Sequence, residues 1–521
     1  MSLSESRFQL ARVSPHSIGA GGALPPMNEL VTASPVSASQ LSASQLSASP
    51  LSASPTTAHS PATSTTSTAR HADFLSPTSA RRAPSAIREL APLLKTPGML
   101  SLGGGMPNPS LFPFTSLAFA TSDGMQLALT PAELHDALQY TNTTGLPALM
   151  DCLVDLQRRE HSPPYKEWSI AVTNGSQDAL TRAIEMLLQP GDSILVENPT
   201  YSGTLSFIVP YGLRMVSVPT DADGLDPAAL DRMLTAWPAD AAASSGTGSK
   251  PRVLYVVPTG QNPSGATLSA ARRAHLYRVA CRHNLMILED DPYFYLYYGK
   301  EAAPTSAAAV AAFRRPRLQS LFSIDTEQRV LRFDSFSKVL SSGLRIGFAT
   351  GPNALMRQME LHMQATVLHT SGVSQAMVAK LLRAWGPAGL ETHLCRIAVF
   401  YARKRDRIHA AAERHLAGLA RWSVPDAGMF LWLELLFVAD SRQLVMQKGV
   451  AAKVLFVPGQ AFVPTTTTGA AVPTPSRFVR ASFSTIADDQ MDEAMRRLAE
   501  LLRAEQTQQK QSGLRGGVAK L

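Results

Sequence analysis

One lysine stands among small hydroxyl residues in the string DSFSKVLSSGLRIG, Asp334 to Gly347, with Arg345 seven positions beyond Lys338. A lysine amine can form a Schiff base with a carbonyl, and partial desolvation keeps the amine reactive. Ser335, Ser337 and Arg345 would supply donors for a phosphate beside it, the arginine fork reaching two oxygens at once. A second string, ILEDDPYFYL from Ile287 to Leu296, is an apolar run ending in acids, so a strand delivers a carboxylate to a sheet edge. A third, TNGSQDAL from Thr173 to Leu180, is a glycine turn opening a helix; its first amide N–H groups and the Ser176 hydroxyl form an anion cradle. PTGQNPSG, Pro258 to Gly265, follows the apolar run VLYVV and on its own reads only as a turn. RFVRASFS, Arg477 to Ser484, sets arginines in an apolar strand context, where burial demands an anionic partner.

In this order and at these spacings the strings resemble the fold-type-I pyridoxal-phosphate aminotransferases of class I/II, over Ala83 to about Ala504. SSGLRIGF, Ser341 to Phe348, is similar to the SxGLRIGF that follows the lysine in the aromatic-amino-acid, 2-aminoadipate and kynurenine group. The resemblance makes Lys338 the Schiff-base lysine, with Ser335, Ser337, Arg345, Ser176 and Gln177 around the phosphate. Its Asp-x-x-Tyr spacing selects Asp290 with Tyr293, Asp290 keeping the pyridine nitrogen protonated so that the ring is an electron sink. Tyr293 and Asn262 would meet the ring's phenolic oxygen, and Tyr201, in ENPTYSG, would stack on the ring. Arg480 takes the place of the arginine that grips the substrate α-carboxylate, near Asn262. Gly105 and Met106, in GGGMPNPSLFPF, and Ile87 and Arg88, in SAIREL, fall where related enzymes meet the side chain; Tyr140 matches a tyrosine reaching across a dimer interface.

The implied reaction is a ping-pong transamination from an aromatic amino acid (tryptophan, phenylalanine, tyrosine or kynurenine) to 2-oxoglutarate. A mobile Arg88 would let an aromatic ring or a carboxylate share one site. Three other readings stay open: a 2-aminoadipate aminotransferase, another pyridoxal-phosphate lyase or synthase on the same fold, and an aminotransferase-like transcription regulator.

The elements that must position these residues are legible in outline. Strand candidates are Ser193–Glu197, Val253–Pro258, Met286–Asp290 and Arg345–Thr350. Gln177–Gln189 carries Leu180, Ile184, Leu187 and Leu188 on one face and is closed by Pro190-Gly191, and Ser269 can cap another helix. Buried strands alternating with helices predict an α/β fold with a mainly parallel sheet, ligands binding at the strands' carboxyl ends. The resemblance adds a large domain over 132–388 and a smaller α+β domain over 389–504, which also takes part of the 83–131 segment. Residues 1–82, with the repeated SASQL and SASP, predict a disordered leader, and residues 505–521 a loose tail. Ala239–Lys250, Ala302–Gln319 and Thr465–Ser476 read as surface insertions.

Composition narrows the class. The 521 residues are 45% hydrophobic and 17% charged, enough for a large core, and no apolar run is long enough for a spanning helix. The three cysteines are too dispersed for a disulfide scaffold or a thiolate metal site. The net charge of +8 is scattered, which suits an enzyme handling phosphates and carboxylates better than a nucleic-acid partner. The resemblance adds a homodimer with shared sites. The cytoplasm is the expected compartment, with a peroxisome (from the terminal Ala519-Lys520-Leu521) or a mitochondrion as alternatives.

Overall fold

The computed structural model describes residues 70–86, 90, 93, 96–103, 105–238, 249–465 and 474–518, with side chains described to residue 511. The repeat leader up to residue 69, Ile87 and Arg88, most of two insertions (239–248 and 466–473) and the terminal tripeptide lie outside the described residues.

Eight strands form the principal sheet: β3 (Trp168–Thr173), β4 (Ser193–Asn198), β5 (Arg214–Asp221), β6 (Gly224–Leu225), β7 (Val253–Val256), β8 (Met286–Asp290), β9 (Val330–Ser335) and β10 (Gly347–Pro352). Their order is β3-β10-β9-β8-β7-β4-β5-β6, after a small hairpin of β1 (Ala118–Ala120) and β2 (Gln126–Ala128). β5, β4, β7, β8 and β9 run parallel, joined through helices such as Ala270–Arg282, which Ser269 caps by accepting from the Arg272 amide. Both faces of these strands are covered, which is why they read as unbroken apolar runs. Val253, Tyr255 and Leu288 face one core, and Leu254, Val256 and Ile287 the other.

β10 departs from the expected parallel pattern and runs antiparallel to both β9 and β3. The link from Ser335 to Gly347 holds only a short 3-10 turn at Phe336–Lys338, too little chain for a parallel crossover. The strand also starts two residues later than the sequence pattern suggests, because Arg345 takes a left-handed conformation (φ +54°) that no strand accommodates. Two antiparallel steps restore direction. The carboxyl ends of β3, β4, β7, β8 and β9 therefore share one edge with the start of β10.

A second, antiparallel sheet, β11-β12-β14-β13, is built from β11 (Ala420–Arg421), β12 (Phe430–Leu435), β13 (Val457–Pro458) and β14 (Phe478–Ser482). The helical run Gly372–Leu416 precedes it and is broken at Gly386 (φ +59°), just before Pro387. One contiguous core holds Val172 and Phe333 of the large sheet together with Leu431 and Val479 of the small one.

Three expectations need correction. Residues 70–82, expected in the leader, are structured: Phe74 is buried, Arg252 lies over its ring, and Ser76 caps the Pro77–Ala80 helix while donating to the Glu185 carbonyl at 2.9 Å. The expected loose tail is helical, since Asp488–Val518 is one helix; Glu505 pairs with Lys448, and Gln509 donates to the Phe437 carbonyl. The Ala302–Gln319 insertion is more than a surface loop. It carries a short helix, Ala307–Ala312, and buries Arg315 against Glu160 and Glu391.

Candidate active site

The shared strand edge opens into a cavity of about 450 Å³, and all ten residues expected around a cofactor line it. Lys338 follows β9 at the end of the 3-10 turn, half-buried, with no hydrogen bond or ion pair among the described residues. Burial, with Arg345 and Arg480 nearby, pushes its amine below the ordinary lysine range, which favours the neutral nucleophile.

An anion cradle lies beside it. Gly175 caps the Ser176–Leu187 helix with φ +88°, and that helix start offers N–H groups without intrahelical acceptors. Arg345 crosses the turn: its Nη2 donates to the Asn174 carbonyl at 2.7 Å and its Nη1 to Ser337 Oγ at 3.4 Å. A Cβ on Gly175 would lie 2.6 Å from Arg345 Nη2, so only glycine allows that approach. Gly347 makes a second close crossing, because a Cβ there would lie 2.7 Å from the Ser176 amide nitrogen. Ser335, Ser337, Ser176 and Arg345 thus face one small space from three strands.

Asp290 ends β8 and is buried. Its Oδ2 accepts from the Tyr255 phenol at 3.0 Å, while Oδ1 is buried without a hydrogen-bond partner among the described residues. Burial pushes this carboxyl up to about 7, with the Asp291 charge adding to the rise and the Tyr255 hydrogen bond opposing it. A cationic N–H donor beside it would draw it back to the ionised carboxylate. Tyr201 starts the Ser202–Tyr211 helix and folds its ring back over Gly203, where a Cβ would sit 2.5 Å from the ring. Tyr293 stands edge-on to Phe430, ring centroids 5.8 Å apart.

Arg480 reaches the cavity from the second sheet. Its guanidinium lies over Phe430 at 4.3 Å and Phe462 at 5.0 Å, and its Nη1 donates to Asn262 Oδ1 at 2.8 Å. Its Nε is buried without a partner, and no ion pair reaches Arg480 among the described residues. A carboxylate fits the fork of this half-buried guanidinium held between aromatic faces.

Other expected residues are not gathered here. Gly105, Met106 and Tyr140 are exposed and do not line the cavity, Tyr140 touching only His369 edge-on among aromatic rings. Arg88 lies outside the described residues. The sequence reading missed Phe430, Phe462 and Tyr255. The phenylalanines pair with Arg480 only through tertiary contact. Tyr255 left a signal, since a lone hydroxyl in the apolar run VLYVV needs a buried partner.

The constellation offers an amine for an aldehyde, a cradle for a phosphate, a carboxylate for a ring nitrogen and a guanidinium for a carboxylate. Those are the four demands pyridoxal phosphate and an amino acid make, and the residues fit them. The model of the family "aminotransferase class I and II" matches residues 110–498. A mouse (Mus musculus) protein named kynurenine/alpha-aminoadipate aminotransferase, mitochondrial, is 40% identical over 440 residues, 82% of this chain and 98% of the relative. An aromatic amino acid aminotransferase of Dictyostelium discoideum is 32% identical over 80% of this chain and 84% of its own length. The crystal structure of the Pyrococcus horikoshii kynurenine aminotransferase, in complex with PMP, superposes with a TM-score of 0.62 at 29% identity, covering 83% of this chain and 98% of that one.

Proposed function

The chain belongs to the class I and II aminotransferases and is a pyridoxal-phosphate enzyme, and from that premise we propose that it moves the amino group of an aromatic amino acid to 2-oxoglutarate. The products are the aromatic 2-oxo acid and glutamate. The observation that carries this reading is the convergence of Lys338, Asp290 and Arg480 on one cavity. The kynurenine and aromatic substrates in the relatives' names support the donor class.

Bound pyridoxal phosphate supplies the electron sink that makes the donor's Cα–H acidic. Around it, Lys338 Nζ would hold the coenzyme's aldehyde group, and as a free amine it would move the donor's Cα proton as general base. Asp290 would hold the ring nitrogen, and Tyr293 and Asn262 the phenolic oxygen. Ser176, Gln177, Ser335, Ser337 and Arg345 would hold the phosphate, and Tyr201 would cover the ring. Arg480, oriented by Asn262, binds the α-carboxylate and so fixes which Cα substituent faces Lys338.

We assign Gly105, Met106, Arg88 and Tyr140 to the donor's side-chain region in a homodimer. The solvent-exposed Leu100, Leu102, Leu111 and Phe114 support a second copy as their cover. We keep the division into a large domain over 132–388 and a small one over 389–504, which the helix break at Gly386 supports. The mouse relative's mitochondrial label favours that compartment over the cytoplasm or peroxisome.

A 2-aminoadipate donor is the second reading, favoured by the other half of the same relative's name. A panel of tryptophan, phenylalanine, tyrosine, kynurenine and 2-aminoadipate with 2-oxoglutarate tests the proposal. Turnover with at least one aromatic donor, releasing the 2-oxo acid, is expected. Failure of every aromatic donor alongside turnover of 2-aminoadipate would replace it, and release of ammonia or a cyclised amine would mean a different chemistry on the fold.

A further inference from the structure

Tyr255 is fully buried on β7 and pairs with Leu288 of β8, so its side chain leaves the sheet on the same face as Leu288 and Asp290. Its hydroxyl lies 3.0 Å from Asp290 Oδ2, and the other carboxyl oxygen, Oδ1, is buried without a hydrogen-bond partner among the described residues. Burial and the Asp290 charge push the phenol far above its ordinary range, so it stays a hydrogen-bond donor throughout the working pH range. A phenylalanine would fill the same apolar volume. The hydroxyl therefore answers to something other than packing.

We propose that Tyr255 is a positioning residue for Asp290: its O–H anchors Oδ2, fixing the carboxyl plane so that Oδ1 is left for the ring nitrogen of bound pyridoxal phosphate, and it stabilises the ionised carboxylate against that nitrogen. The inference rests on the reading of Asp290 given above. The proton shared by the ring nitrogen and Asp290 stays on the nitrogen only while the carboxylate charge is stabilised. Without the phenol O–H that proton shifts toward Asp290 and the ring loses positive charge. The nitrogen linked to Lys338 then keeps its own proton to higher pH.

The test compares the holoenzyme with Tyr255→Phe, Asp290→Asn and the double variant, reading coenzyme release on dialysis and the pH midpoint of the visible absorbance band. Tyr255→Phe is expected to weaken coenzyme retention about tenfold, the worth of a hydrogen bond to a charged group, and to raise the pH midpoint. In the Asp290→Asn background the same change is expected to alter neither readout. Tyrosine replaced at 255 by 3-fluorotyrosine keeps the bulk and strengthens the donor, so the midpoint should fall; this variant carries the test if Tyr255→Phe does not fold. The inference is overturned if Asp290→Asn changes both readouts while Tyr255→Phe changes neither, or if the effect of Tyr255→Phe persists in full beside Asp290→Asn. If Asp290→Asn alone changes neither, the assignment of Asp290 to the ring nitrogen fails instead.

Discussion

Glu197 shows how far burial controls a single side chain. It is almost wholly buried on β4, its Oε2 accepting the Val257 amide at 2.9 Å, and desolvation raises its carboxyl to about 8, against the pull of that hydrogen bond. Asp325, buried among Tyr165, Tyr277 and the amides of Arg329 and Val330, is raised to about 7 for the same reason. An acid whose folded pKa exceeds its unfolded value binds more protons when folded. Its protonated form therefore favours folding at low pH, and that contribution is lost as pH climbs from the unfolded value toward the folded one. For Glu197 the window runs from the ordinary 4.5 to about 8. Glu197→Gln keeps an oxygen for the Val257 amide and removes the titration. Thermal melts of the coenzyme-free protein between those limits should show the wild type losing stability more steeply with pH than Glu197→Gln. Parallel curves would show that Glu197 is ionised in the fold.

At the scale of elements, β8 and β9 are held in register by charge as well as by their ladder. Glu289 and Arg332 are cross-strand partners 3.3 Å apart, and Arg332 also reaches Asp291 at 3.1 Å and Asp334 at 2.8 Å, all buried. Arg273 approaches Glu289 and Asp291 from the neighbouring helix, and Gln157 donates to Asp334 at 2.7 Å. Asp290 and Lys338 end or follow these same two strands. Arg332→Met should cost about 3–5 kcal/mol, the penalty for leaving buried carboxylates without their cation. Denaturant unfolding measures it, and a loss below about 1 kcal/mol would mean the acids find other partners or protonate. The β8 strand was legible to the residue, because its apolar run ends in acids. The network behind it was not, since its members come from 157, 273, 289, 291, 332 and 334 and meet only through the fold. β10 was legible as a strand but not in direction, which depends on how little chain separates Ser335 from Gly347.

Across the whole molecule, the sheet order is what makes a site from scattered strings. The antiparallel turn at β10 brings the Ser176 cradle at the end of β3 to the edge that carries Lys338, Asp290 and Asn262, and the second sheet adds Arg480 from more than a hundred residues later. The ten residues expected around a cofactor could be picked from sequence, and they line one cavity, because each sits near a strand end within a short string. Gly105, Met106 and Tyr140 could not be tied to the cavity, because all three are exposed and none lines it. The Lys338 amine is predicted to carry the coenzyme. Borohydride reduction of the yellow holoenzyme, followed by proteolysis and mass mapping, should place the pyridoxyl adduct on the peptide containing Lys338 and nowhere else. A preparation that gains no visible absorbance with pyridoxal phosphate, or an adduct found on another lysine, would contradict it.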